Sequence, residues 1–271
     1  QNLDVTAGDG VIIRDNVFLS TTSGHIVLGW LSQNCLVENN WFFSNDTYTA
    51  TYGIYTWTPG HTIQNNLFVG PCYNAAGPGN NRSWILLANN RPTSGFNRAA
   101  QNIKIYHNSF SVTRATIASN PYDAANGNAL AIEMRETSTP TEKLAGIDIQ
   151  NNIFRSESGR SIVECSQSDF QFGDPELTLD HNTYEGSATP FEQVTTLTSF
   201  AAIQALGHET NGQEASAGYT RDVPTTPYDF MILAGAAARN SGANLFATVP
   251  TDFDGAARDT TPDAGAIEYQ P

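Results

Sequence analysis

Three charged side chains fall where acid–base chemistry would need them. The runs Leu130-Ala131-Ile132-Glu133-Met134-Arg135 and Ser161-Ile162-Val163-Glu164-Cys165 alternate apolar and polar residues. With Ile132, Met134, Val163 and Cys165 turned inward, Glu133, Arg135 and Glu164 turn outward. If the two runs are neighbouring parallel strands, about 4.8 Å separates them, and Glu133 and Glu164 form a close carboxylate pair. Carboxyls about 5 Å apart suit a retaining glycosidase, and a wider gap suits inversion. Like charges that close favour one group keeping its proton, which supplies the acid. Tyr55 and Trp57 project to the same side from an earlier strand, and Trp84, Asn89 and Arg91 lie nearby in the sequence. Aromatic rings beside carboxylates make a sugar platform, because ring faces pack on the apolar faces of pyranoses. The candidate set is therefore Glu133 and Glu164 for catalysis, with Tyr55, Trp57, Trp84, Asn89, Arg91 and Arg135 for substrate. The plainer alternative is a solvated Glu133–Arg135 pair. A one-residue slip of register would bury Glu164.

The elements that would position these groups are written in a repeat. An Asn-Asn pair or a close variant follows an alternating run six times: VIIRDNVF, LVENNWF, TIQNNLF, IKIYHNSF, IDIQNNIF and LTLDHNTY. The second residues of the pairs are Asn16, Asn40, Asn66, Asn108, Asn152 and Asn182, at steps of 24, 26, 42, 44 and 30 residues. Such periods belong to stacked repeat architectures. The short steps fit one coil, and the long ones fit a coil with an inserted loop. Period-two alternation before each pair gives strands with one buried face. The spacing predicts an all-β, parallel β-helix, right-handed by the general chirality of parallel crossovers. Asn suits the sharp bends because it tolerates the left-handed region, and Asn in successive coils can form an amide ladder along the axis. His107 and His181 occupy the same frame and read as substitutes in the ladder.

Composition narrows the partners. The 271-residue chain is 39% hydrophobic and carries a net charge of −14, from 27 acidic and 13 basic residues. Phosphate binding needs clustered Lys and Arg, so a nucleic-acid partner is not expected. No apolar stretch approaches the length of a membrane span. Three cysteines, Cys35, Cys72 and Cys165, are too few for a disulfide framework; Cys35 and Cys72 could pair, and Cys165 reads as a core thiol. His25, His61 and His208 show no zinc spacing. Asp252 and Asp254 offer oxygens of the calcium type, so a structural calcium is one reading and turn-capping carboxylates the other. No cofactor is required.

After Tyr184 the pattern changes. The coils are expected to occupy 1–186, and 187–271 to form a mixed capping segment with a short helix, because an open solenoid end exposes strand edges and core. That segment contains Ser199-Phe200-Ala201-Ala202-Ile203-Gln204, then Asp229-Phe230-Met231-Ile232-Leu233. Thr251-Asp252-Phe253-Asp254-Gly255, Arg258 and Pro262-Asp263-Ala264-Gly265-Ala266-Ile267-Glu268-Tyr269 follow. These phrases resemble the ending of secreted bacterial right-handed parallel β-helix repeat proteins, a group with polysaccharide lyases and hydrolases among its members. The chain departs from that ending at Gly235-Ala236-Ala237-Ala238, where the group has Gly-Ser-Pro-Ala. The resemblance implies the fold and a secreted or cell-surface location. It leaves function open.

The leading reading is an extracellular carbohydrate-engaging β-helix whose partner is a polysaccharide, cleaving it as a glycoside hydrolase more than as a lyase. Nothing in the sequence resembles the lysine-plus-arginine site of the calcium-dependent β-helix alginate lyases. The alternative is a non-catalytic structural or adhesive module that self-associates end to end through its uncapped first coil. A pure binding domain is the third reading.

Overall fold

The computed structural model describes residues 3–19, 24–44, 52–70, 83–89, 98–113, 130–135, 142–157, 162–166, 170–194 and 196–270. Six coils, each of three short strands, follow one another. The first holds β1 (Leu3–Asp9), β2 (Ile12–Arg14) and β3 (Val17–Leu19), and the second β4 (Ile26–Gln33), β5 (Leu36–Glu38) and β6 (Trp41–Phe43). The third holds β7 (Tyr52–Thr56), β8 (Thr62–Gln64) and β9 (Leu67–Val69), and the fourth β10 (Ser83–Ala88), β11 (Lys104–Tyr106) and β12 (Ser109–Val112). The fifth holds β13 (Leu130–Arg135), β14 (Ile147–Gln150) and β15 (Ile153–Ser156), and the sixth β16 (Val163–Cys165), β17 (Leu177–Asp180) and β18 (Thr183–Glu185). The chain closes with β19 (Phe191–Gln193), β20 (Thr196–Thr198), helix α1 (Phe200–Ala205), β21 (Gln213–Glu214) and a short 3-10 turn at Pro227–Phe230.

Every strand pairs with its equivalent one coil on. The first sheet runs β1-β4-β7-β10-β13-β16-β19-β20, the second β2 through β17, and the third β3 through β21. All named pairings are parallel except β19 with β20. The fold is a parallel β-helix.

The interior follows from the alternation. On the second sheet Ile13, Val37, Ile63, Ile105, Ile149 and Leu179 are buried in register. On the third, Phe18, Phe42, Phe68, Phe110, Phe154 and Tyr184 stack with centroids 4.6 to 5.1 Å apart, within the favourable range for ring pairs. The bend between these sheets uses both members of each Asn pair, for different jobs. The first member takes the left-handed conformation: Asp15, Asn39, Asn65, His107, Asn151 and His181 all have φ between 52° and 59°. The two histidines therefore replace a bend residue and not a rung of the amide series. The second member points along the axis. Asn40 Nδ2 donates to Asn66 Oδ1, Asn66 to Asn108, Asn108 to Asn152 and Asn152 to Asn182, at 3.0 to 3.1 Å. The series ends on a carboxylate: Asn182 donates from N and Nδ2 to Glu209, and Tyr184 Oη donates to the same group.

The closing segment does two things. Residues 191–214 cover the last coil, through β20 on β19, β21 on β18 and the Glu209 amide on Leu179 O. Residues 215–270 run back along the side. Tyr219, Phe230, Ile232, Ala238, Ala264, Ala266 and Ile267 form a second apolar cluster with Leu67, Val69 and Ile153 of the third sheet. Gly265 shows how close this layer lies: a Cβ there would sit 2.7 Å from Ile153 Cδ1 and 2.8 Å from Ser109 Oγ, at a φ of +92°.

Asp252 and Asp254, the candidate calcium ligands, lie in this segment. Asp252 Oδ1 accepts from the amides of Asp254 and Ala256, and Oδ2 from that of Glu268. Its carboxylate organises a turn, while Asp254 faces solvent. Among the described residues no three His, Cys, Asp or Glu side chains gather to hold a metal ion. Cys35 and Cys165 are buried thiols; Cys72 lies outside the described residues.

Candidate functional site

The register of the first sheet brings the sequence candidates together. Tyr55 pairs with Leu86, Leu86 with Glu133, Glu133 with Glu164, and Glu164 with Glu192. Because Ile54, Ile85, Ile132 and Val163 fill the interior beside them, these residues form one column on the outer side. Glu133 and Glu164 stand in adjacent rungs, about 4.8 Å apart at the backbone, and Glu192 extends the column by one more.

Glu133 departs from the expected solvated position. It is only 3% exposed. Arg135, two residues on and on the same side of the strand, donates from Nε to Glu133 Oε1 at 2.7 Å, and its Nη2 reaches the same oxygen. A buried carboxylate is stable only with such a partner, so the pair is buried at Glu133 and reaches solvent at Arg135. Arg135 itself keeps 28% of its side chain exposed. Glu164 and Glu192 are half-buried.

Two coils earlier, the Tyr55 and Trp57 rings lie 4.7 Å apart at 58° to each other, and Tyr52 packs edge-on to Tyr55 at 5.3 Å. Burial raises the Tyr55 phenol above its ordinary range, and the charges of Arg135 and Glu133 both act on it. The column and the aromatic group are thus one electrostatic neighbourhood, with Tyr55 a neutral hydroxyl.

Trp84 and Asn89 do not join it. Trp84 is fully buried, its indole donating to Gly70 O at 3.2 Å and its ring against Phe68 and His25. Gly53 in the rung below makes the room, since a Cβ there would come within 2.9 Å of the Trp84 ring. Asn89 is buried, bridges to Ala99, and donates from Nδ2 to Glu142 O. Arg91 lies outside the described residues. The histidines also have structural posts. His61 accepts from the Cys35 amide and bonds Thr58 Oγ1, and burial lowers His25 and His61 to about 4. Lys104 is exposed on the second sheet, a different face.

Sequence reasoning missed Tyr52, Glu192 and Trp30. Glu192 sits in Phe191-Glu192-Gln193, too short for its period to be read. Trp30 follows Gly29 at an irregularity in β4, where Val5 pairs with Leu28 but Ala7 with Leu31. A glycine inside a strand pattern is the sequence signal for such a bulge.

The arrangement sets two carboxylates in adjacent rungs, a guanidinium beside one of them and a phenol two rungs away. No match was found among curated proteins. The model of the family described as Chondroitinase B matches residues 7–191, the coils and the start of the last rung, and does not reach the ending whose phrases carried the resemblance above. The protein is therefore a carbohydrate-active β-helix, and the chain belongs to the chondroitinase B family.

Proposed function

We propose that this protein binds a polysaccharide along the outer face of the first sheet, outside the cell, and hydrolyses it at Glu133 and Glu164. The observation that carries the reading is the register: two carboxylates in adjacent rungs, beside Arg135 and two rungs from an aromatic pair. Glu133, whose Oε1 accepts from Arg135, is assigned the nucleophile's role. Its oxygen bonds to the anomeric carbon as Glu164 protonates the departing glycosidic oxygen, and the glycosyl ester forms. Water, giving its proton to Glu164, then cleaves that ester with net retention. Rungs about 4.8 Å apart match the short carboxyl separation of retention.

A second reading is β-elimination on a uronate polymer, favoured by the family's name and by Arg135 beside the Tyr55 phenol. Arg135 would pair the uronate while a side chain removes the proton from the adjacent carbon. End-to-end stacking through the first coil is the non-catalytic alternative, and at the other end β20, β21 and Glu209 cover the last rung. The test is a panel of neutral and uronate polysaccharides. Hydrolysis gives new reducing ends alone, and elimination gives an ultraviolet-absorbing unsaturated uronate as well. Glu133→Gln and Glu164→Gln are each expected to lower turnover roughly a thousandfold. Full turnover in both variants removes the site.

A further inference from the structure

The closing segment finishes two of the three sheets with strands. Beyond the sixth coil the first sheet gains β19 and β20 and the third gains β21, whereas among the described residues the second sheet ends at β17. In a parallel ladder one residue bonds to the strand on one side and the next residue to the strand on the other. On β17 the residues facing the closed end are Leu177 and Leu179. The Leu177 amide turns back to Asp174 O at 3.0 Å, and Leu179 O accepts from the Glu209 amide at 2.6 Å. The same pattern directs the Leu177 carbonyl and the Leu179 amide to that edge.

A groove of about 240 Å³ lies along it. β17 from Leu177 to Asp180 forms one wall, and 173–175 and 206–208 form the others. These outer walls are pinned: the Phe172 amide donates to Gln193 Oε1 at 2.9 Å, and the Gly173 amide to His208 Nε2 at 3.0 Å. Asp174 and Asp180 line the groove, and no Lys or Arg does. The amides of His181 and Asn211 and the Asn211 side chain fix the Asp180 carboxylate, which keeps 23% of its side chain exposed. Burial lowers the His208 imidazole, so it is neutral at pH 7 and adds no positive charge.

We propose that the β17 edge docks an extended peptide of another protein, which adds as a seventh strand of the second sheet and carries Lys or Arg at the residue opposite Thr178. In a parallel strand that one residue gives its amide to Leu177 O and takes the Leu179 amide on its carbonyl. Three residues are enough, because β2, β5, β8 and β11 of the same sheet have three each. The side chain opposite Thr178 points outward, as the exposed Thr178 does. It stands diagonal to Asp180 and next to the turn that holds Asp174, so a cation is favoured there and a carboxylate is repelled. The proposal is independent of the chemistry on the first sheet.

The test is fluorescence anisotropy of labelled pentapeptides, blocked at both ends, titrated with the whole chain. The probes are Thr-Val-Lys-Val-Thr, the same peptide with its lysine amide N-methylated, and Thr-Val-Glu-Val-Thr. The lysine peptide is expected to bind, and the N-methylated and glutamate peptides each roughly tenfold more weakly. Asp180→Asn keeps an acceptor for the Asn211 amide. It is expected to bind the lysine peptide roughly fivefold more weakly, with an unchanged melting temperature. Hydrogen exchange locates the peptide: the Leu179 amide should slow on binding, and the amides of β1, β2 and β3 should not. Equal binding of the N-methylated peptide overturns strand addition. Equal binding of the lysine and glutamate peptides overturns the stated partner. Slowing confined to the first coil overturns the site, and so does a lysine peptide that fails to bind.

Discussion

The outer faces of the first and third sheets are built by the same coils and finished in opposite ways. On the third sheet the outward positions include Trp41, Phe43, Leu67, Val69 and Ile153, and residues 215–270 cover them with alanines and aromatic rings. On the first sheet the outward column carries Tyr55, Glu133, Glu164 and Glu192, which a layer of apolar side chains would desolvate without repayment. The inward sides of the two sheets are alike, both apolar and fully packed. What separates the covered face from the charged one in this solenoid is the chemistry of alternate residues, and the backbone is indifferent to it.

The largest way to break the contrast is to unlatch the cover. Arg258 is buried, bonds Glu268, and donates from Nη2 to Asn65 Oδ1 in the third coil and to the carbonyls of Gly265 and Ala266. Arg258→Ala leaves Glu268 buried without its partner, and is expected to lose about 3–5 kcal/mol in denaturant unfolding. It should also expose the third sheet to a hydrophobic dye while leaving the first sheet's affinity for ligand intact in the remaining folded molecules.

A smaller loss comes from the bend that both faces share. Asn108 accepts from the amide and Nδ2 of Asn66 and donates to Ile63 O, Tyr106 O and Asn152 Oδ1. Asn108→Ala strands these buried groups and should lose about 3 kcal/mol, whereas Asn16→Ala, at the exposed end of the series, should lose under about 1 kcal/mol. Equal losses would show that the amides act locally and not as a chain.

The pH dependence sharpens the picture of how the end is closed. Burial pushes Glu209 up to about 8 and Glu268 to about 7, from an ordinary 4.5. A carboxyl raised on folding stabilises fully below its unfolded value and loses that contribution as pH rises through the folded one. His25 and His61 run the other way, lowered by burial from 6.5 to about 4, so their contribution disappears as pH falls across that interval. Melting temperature should therefore peak in mildly acidic buffer and decline toward pH 8. Glu209→Gln keeps an acceptor for Asn182 and should flatten the alkaline decline. A decline that survives in this variant would assign it to other groups.

The smallest effect is a gain. Val194 holds a φ of 60° and is 43% exposed just after β19 at the closed end. A β-branched residue there is strained, and Val194→Gly should stabilise by about 1 kcal/mol in denaturant unfolding.

Much of this was legible in the sequence. The six Asn-bearing runs gave the coils, and alternation placed Glu133 opposite Glu164 in the register found. Three features were not legible, each for a physical reason. Trp84-Ile85-Leu86-Leu87-Ala88 is apolar throughout, so period two could not say that Trp84 turns inward; the space left by Gly53 decides it. The burial of Glu133 depends on what packs over the strand, which its own alternation does not report. Residues 215–270 run along the third sheet because Leu67-Phe68-Val69 is apolar on both sides, a signal of a doubly covered strand, while 191–214 close the end.

The most direct measurement is reducing-end release from the polysaccharide panel by wild type, Glu164→Gln and Glu38→Gln, the last on the second sheet. The account predicts release by the wild type and by Glu38→Gln, and a loss of roughly a thousandfold in Glu164→Gln with its melting temperature retained. Release by Glu164→Gln at the wild-type rate would contradict it, and would move the chemistry off the first sheet.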